Sequence, residues 1–265
     1  MDTLPIALLP FTAGVDARVN ATRIRAGIAE AAAAGARVLL TPECALPGYP
    51  SAAHPDLAAI DWCLIAALED GLALAAERHG IVLVTGSIER GVHGCSNDAV
   101  VAGAGAPRRY RKQCLTPTDR RHFVAGTTAV AVDHAGWRLG VAICYDLRFV
   151  DVFMRLGRLG ADAFLVIAHM AGPDPDPGTK AALIPQLCAT RAAELATPLA
   201  FCNTAAADRY CDSAVWDARG VRVATAAEGL FTAALQPRAA FDPWYGNLRG
   251  EALARWVAAE GRGEG

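Results

Sequence analysis

Three polar residues of complementary chemistry stand at the ends of strand-like runs. Glu43 follows Val38-Leu39-Leu40, Lys112 follows Tyr110, and Cys144 follows Val141-Ala142-Ile143. A carboxylate, an ammonium and a thiol brought to one place form a workable acyl-transfer site. The carboxylate takes the thiol proton, the sulfur attacks a carbonyl or nitrile carbon, and the cation holds the developing anion. Each residue also has an ordinary reading. Most free cysteines are small buried hydrophobes. Glu43 could cap a helix or sit in a loop, and Lys112 lies among Arg108, Arg109 and Arg111, a run that suits a solvated face. Alternation, however, points Lys112 to the same side as Tyr110, toward an interior.

The elements around these residues decide whether they can meet. Val141 to Phe149 reads as strand, sharp turn and helix, with Phe149, Val152, Phe153, Leu156 and Leu159 at helical spacing. A thiol at that turn sits near a helix N-terminus. Backbone N–H groups and a nearby lysine would then depress its pKa. Upstream, residues 4–9 read as a buried strand. Asp16 to Ala34 reads as a helix with Val19, Ile24, Ile28 and Ala31-Ala32 on one face. A long helix is expected from about Pro55 to His79, stopped by Gly80, then strands at 81–88 and 97–101. Strands at 129–132 and 139–143 flank Ala135-Gly136, and 163–168 is a clean buried strand.

Three alternating prolines make Gly172 to Gly178 a loop. A helix follows at 179–196 with Pro185 expected to kink or restart it, then a strand at 198–203. Ser213 to Asp217 and Val221 to Thr225 form a hairpin, Leu230 to Leu235 adds a strand, and a short helix is expected at 251–259 before a disordered glycine-rich end. Helices alternate with strands early, and paired strands cluster later. The pattern predicts an α/β layer architecture with a mixed sheet in one domain. In such a fold strand ends converge on one cleft, so distant residues can share a site.

The composition excludes several classes of function. Apolar residues make up 53% of 265, which supports a large core. Net charge is −2 with no extended basic run, so neither nucleic acid nor an anionic membrane is an expected partner. No apolar run reaches membrane-spanning length, and Met-Asp-Thr-Leu-Pro does not read as a signal peptide. The eight cysteines show no C-x-x-C spacing, so the expectation is no metal, no disulfide framework and a cytoplasmic location. There is no H-E-x-x-H, G-x-S-x-G or phosphate-binding glycine loop. His169, in Ile167-Ala168-His169-Met170, suits a hydrogen-bonded, partly buried histidine.

Thr41-Pro42-Glu43 with Gly48-Tyr49, Tyr110-Arg111-Lys112 with Leu115 and Pro117, and Ile143-Cys144-Tyr145-Asp146-Leu147-Arg148-Phe149 resemble the three signature blocks of the nitrilase superfamily. These are carbon–nitrogen hydrolases with a Glu–Lys–Cys triad. Gly160-Ala161-Asp162, Arg191-Ala192, and Ser213 with Asp217 and Gly220 also match. The resemblance covers roughly residues 4 to 235. It implies a four-layer α-β-β-α sandwich with mixed sheets over residues 1–240, and a tail, 241–265, that could serve oligomerisation. It makes Cys144 the nucleophile, Glu43 the general base and later acid, and Lys112 the oxyanion donor with the Tyr145 backbone N–H. Tyr49, His169 and Met170 would help bind substrate.

Several positions depart from the family pattern. Asp119 stands where many members carry a glutamate one methylene longer, so its reach to Lys112 or substrate is in question. Val150-Asp151 replaces the usual Pro-Glu, Met154 an arginine, and His169-Met170 a Pro-Ala. The residues after Cys144 resemble the amidase and Nit-like branches more than true nitrilases. The implied activity is hydrolysis of a small linear amide through a cysteine thioester, without cofactor, in a homodimer or higher homo-oligomer. N-carbamoyl amidohydrolase and then nitrilase are the alternatives. An inactive member acting as a binding or scaffold protein is the alternative of another class.

Overall fold

The computed structural model describes residues 1–50, 57–172, 179–241 and 243–261. Among them the chain runs β1 (Leu4–Leu8), α1 (Ala17–Ala33), β2 (Val38–Leu40), α2 (Trp62–His79), β3 (Val82–Gly91), β4 (Gly94–Ala102) and β5 (Arg108–Arg111). It continues through β6 (Val130–His134), β7 (Trp137–Ile143), α3 (Val150–Arg158), β8 (Ala163–Ile167), α4 (Thr179–Glu194) and β9 (Leu199–Cys202). The remaining elements are β10 (Ser213–Trp216), β11 (Arg222–Ala226), β12 (Phe231–Leu235) and α5 (Pro243–Gly261).

These strands build two six-stranded sheets, ordered β12-β1-β2-β3-β4-β5 and β11-β10-β9-β8-β7-β6. Both are mixed: β1, β2 and β3 are parallel, as are β7, β8 and β9, and the outer strands run antiparallel. Strand alternation explains the layering. Leu4, Ile6 and Leu8 of β1 join Val141, Phe164 and Phe201 of the second sheet in one core. Ala7 and Leu9 face the other way, into a second core with Ile24 and Ile28 of α1 and Leu72 of α2. Val38 and Leu40 against Leu39, and Val82 and Val84 against Leu83, repeat the split. Because the central strands are covered on both faces, their sequences are continuous apolar runs rather than alternating ones. Burying one such Leu or Phe side chain stabilises by about 1.5–3 kcal/mol.

The helices refine the expectations. Asp16 caps α1, accepting from the Arg18 N–H, and Asp61 caps α2, accepting from the Leu64 N–H. Val19 lies on the exposed face of α1, and the buried face is Ala17, Asn20, Ala21, Ile24, Gly27, Ile28 and Ala31. Asn20 is buried because its amide donates to the Leu46 and Gly14 carbonyls. The expected long helix is a short 3-10 turn, Leu57–Ala59, followed by α2. Its start at Pro55-Asp56, the proline-rich loop at 173–178 and the end at 262–265 lie outside the described residues. No α-helix starts directly at Cys144. A 3-10 turn, Cys144–Arg148, intervenes, and of the five apolar residues only Val152, Phe153 and Leu156 are buried, while Phe149 and Leu159 are exposed. α4 continues through Pro185, and α5 is longer than the expected 251–259, seating Leu253 in the core beside α3. No helix among the described residues is long and apolar enough to cross a membrane.

This topology positions the site. Ile143, Ile167 and Cys202 end their parallel strands in register, so Cys144, His169 and Asn203 emerge along one edge. Leu40 ends β2 on the facing sheet, and the Cys202 thiol contacts its carbonyl at 3.5 Å. The Glu43 N–H donates to the Ala168 carbonyl at 3.3 Å. The two strand edges therefore open onto the same place.

Candidate active site

Glu43 sits in the turn that follows β2, with Cys44 in the left-handed region at φ +51°. That turn lies flat on β3: the Gly86 N–H donates to the Pro42 carbonyl, and the Leu46 N–H to the Gly86 carbonyl. A Cβ at Gly86 would stand 2.2 Å from the Cys44 nitrogen and 2.4 Å from the Pro42 oxygen. Only glycine permits this approach. The Glu43 side chain is buried, yet both its oxygens are satisfied. Oε1 accepts from Lys112 Nζ and from Asn97 Nδ2, each at 2.7 Å, and Oε2 accepts from the His169 N–H at 2.8 Å.

Lys112 follows β5 and is completely buried. Its N–H donates to the Asn97 carbonyl, and its own carbonyl accepts from the Gly126 N–H. Nζ lies 2.7 Å from Glu43 and 2.8 Å from Asp119 Oδ2. Burial opposes the ammonium charge, but Glu43 and Asp119 outweigh it and hold the lysine pKa well above its ordinary value. Burial likewise works against the Asp119 carboxylate. The charge of Lys112, with hydrogen bonds from Lys112, Tyr49 and the Thr116 N–H, still holds its pKa below the ordinary range. The question of reach is answered: a 3-10 turn at Asp119–Arg121 carries the shorter side chain to Lys112, and Tyr49 donates its hydroxyl to Oδ1 at 2.7 Å.

Cys144 occupies a strained corner at φ +50° between β7 and its 3-10 turn. Asp146 holds this corner. Its Oδ2 accepts from the Ile143 N–H and the Tyr110 hydroxyl, and its Oδ1 from the N–H groups of Gln113 and Cys114. It thereby ties the cysteine turn to the segment that follows Lys112. The expected depression of the thiol pKa is corrected. Burial, and next the charge of Glu43, push the Cys144 thiol well above its ordinary value despite Lys112. The short 3-10 turn lacks the aligned dipoles of a full helix. Glu43 and Asp119 also outnumber Lys112, so a thiolate would add a second net negative charge to a dry cluster.

A cavity of about 740 Å³ reaches this cluster at Cys144, and Tyr49, Tyr145, His169, Met170 and Tyr210 are among its walls. The Tyr49 and His169 rings stack face to face, with centroids 4.3 Å apart and planes 1° apart. Burial lowers the His169 pKa, so the imidazole is neutral near pH 7. Asn203 fixes the neighbouring residue, its Oδ1 accepting from the Met170 N–H at 2.7 Å. The structure thus gathers Glu43, Lys112, Asp119, Cys144, Tyr145, Tyr49, His169 and Met170 in one place. Sequence reasoning assigned no part to Asn97, Asp146 or Asn203. Asp146 lay inside the quoted Cys144 block, and Asn97 carried only the signal of an amide in an apolar strand.

The Carbon-nitrogen hydrolase family model matches residues 12–240. The chain belongs to the carbon–nitrogen hydrolase family. Its fold is similar to that of an amidase from Nesterenkonia sp., with a TM-score of 0.77 at 27% identity, over 89% of this chain and 90% of that one. A structure of a glutamate-to-glutamine mutant of the Nesterenkonia sp. AN1 amidase shows covalent addition of the acetamide moiety of fluoroacetamide at the active-site cysteine; it matches at 26% identity with a TM-score of 0.78, over 95% of each chain. That amidase is of the nitrilase superfamily. By sequence, a hydrolase of Mycobacterium tuberculosis is 30% identical over 181 residues, 63% of this chain and 62% of the relative. An (R)-stereoselective amidase from Pseudomonas sp. is 30% identical over 132 residues, 49% of this chain and 47% of the relative. The chain therefore spans less than two thirds of the length of these sequence relatives.

Proposed function

We propose that this carbon–nitrogen hydrolase is an amidase that converts a small linear carboxamide to a carboxylic acid and ammonia through a thioester on Cys144. The observation that carries the reading is the contact set of Glu43. Its carboxylate pairs with a buried lysine, and its charge acts on the Cys144 thiol, which lines the cavity. In the resting state the thiol keeps its proton. As sulfur attacks the amide carbon, that proton passes to Glu43, so the cluster's net charge moves without growing. Lys112 has three donors; Glu43 and Asp119 occupy two, and the third serves the oxyanion. Tyr145 lies in the first turn of its 3-10 helix, where a backbone N–H has no acceptor within the helix, and supplies the second donor. One such donor is worth about 3–4 kcal/mol of barrier.

Protonated Glu43 then donates to the departing nitrogen. Ammonia leaves, and Cys144 carries the acyl group as a thioester. Glu43 takes a proton from water, which attacks the thioester. The acid departs and the sulfur regains its proton. Every step uses groups of this chain and one water. A mutant of the neighbouring amidase holds the acetamide moiety of fluoroacetamide at its cysteine, which supports a small amide as substrate.

The test is ammonia release from aliphatic amides, ω-amides, N-carbamoyl amino acids and nitriles, beside Cys144→Ala. Turnover of amides, lost in the variant, with an acyl adduct on Cys144 seen by intact mass after acid quench, supports the reading. Preferential turnover of carbamoyl compounds or nitriles would move the substrate class. No turnover of any of them would favour a non-catalytic binding role.

A further inference from the structure

Asn97 projects from the middle of β4, completely buried, and touches both partners of the central ion pair. Its backbone carbonyl accepts from the Lys112 N–H at 2.9 Å, and its side-chain Nδ2 donates to Glu43 Oε1 at 2.7 Å. One residue therefore sets the separation of the lysine backbone and the carboxylate. The amide orientation follows from its partner, since the flipped form would press Oδ1 against a carboxylate oxygen. In the observed orientation Oδ1 is buried without a hydrogen-bond partner. Such an orphan costs free energy. The site retains that cost while Nδ2 is aimed at Glu43.

The two oxygens of Glu43 are consequently unequal. Oε1 receives two donors, Lys112 Nζ and Asn97 Nδ2. Oε2 receives one, the His169 N–H. A carboxylate oxygen has two lone pairs in its plane, so Oε1 is filled and Oε2 keeps one free. We infer that Asn97 is a positioning residue: it closes Oε1 with Lys112, leaving Oε2 as the oxygen that exchanges the proton with the Cys144 thiol and the leaving nitrogen. This rests on the amidase reading of the same site. A hydrogen bond donated to a carboxylate favours its charged form, and removing the donor favours the protonated one.

The experiment compares Asn97→Ala and Asn97→Leu with the natural chain, with Cys144→Ala alongside. Leu fills the space of Asn but carries no donor, and the backbone contact to Lys112 survives in both variants. Folding is checked by circular dichroism, and kcat and KM are measured on butyramide. Both constants are followed from pH 4 to 9. Both variants should lose about tenfold in kcat with KM nearly unchanged, and the acidic limb of both profiles should move up by about one pH unit. If Ala does not fold, the same shifts are read from Leu alone. A Leu variant with the natural kcat and acidic limb would reduce Asn97 to a space filler and overturn the inference. So would a kcat loss with an unmoved limb. Persistent turnover by Cys144→Ala would instead overturn the amidase mechanism itself.

Discussion

Lys112 Nζ and Asp119 Oδ2 lie 2.8 Å apart in a pair with virtually no solvent exposure. An aspartate serves where a longer acid is common, carried to the lysine by the 3-10 turn at Asp119–Arg121. Asp119→Asn keeps the shape and removes the charge. It should lower stability by about 2 kcal/mol, the usual worth of a hydrogen bond to a charged group. The readout is urea unfolding at pH 7. Unchanged stability would mean that Glu43 alone holds Lys112.

The charge balance of the cluster makes a separate prediction about reagents. Cys144 sits beside two carboxylates and one ammonium, and its thiol is pushed up by burial and Glu43. Neutral iodoacetamide should therefore alkylate it faster than anionic iodoacetate, by roughly tenfold more than the ratio in denatured protein. Both rates should still be climbing at pH 9. Peptide mass mapping assigns the labelled residue. Equal native and denatured ratios would contradict the charge assignment.

Burial raises the pKa values of many thiols, Cys44, Cys144 and Cys188 among them, with Cys114 and Cys211 each pushed up to about 12. The folded state thus binds these protons more tightly than the unfolded chain. Their stabilising contribution is fully present below the unfolded thiol value, about 8.5, and is lost as pH rises above it toward the folded values. The thermal midpoint should fall steadily from pH 8.5 to 10.5. A midpoint that is flat over that range would refute the linkage.

Gly86 supports Glu43 through backbone alone. Gly86→Ala should cost at least about 2 kcal/mol, because its Cβ meets backbone atoms of Pro42 and Cys44 rather than flexible side chains. Gly14→Ala is the control, since nothing stands within 4 Å of its Cβ. Chemical denaturation of the two variants checks the contrast. Similar midpoints would show that the 42–46 turn can shift.

The sequence by itself determined the layers and the reactive groups. Runs such as Ala163–Ile167 are apolar at every position, a pattern that a strand covered on both faces requires; Glu43 and Cys144 follow such runs, and Lys112 follows the strand Arg108–Arg111. The inward aim of Lys112 was legible from its alternation with Tyr110, because a strand's period of two leaves no other choice. Tertiary structure alone decided the rest. β12 returns from beyond the second sheet to pair with β1 of the first, and the thiol pKa depends on burial and on neighbours far away in sequence. Local spacing suggested a helix dipole at Cys144, but a 3-10 turn held by Asp146 stands there. Val19 follows a helical period yet faces outward, because α1 buries its small-residue face, with Asn20 reaching the loop beyond Glu43. The part of Asn97 emerges only where β4 meets the turn after β2. Its side chain has no meaning until another strand brings a carboxylate within hydrogen-bond distance.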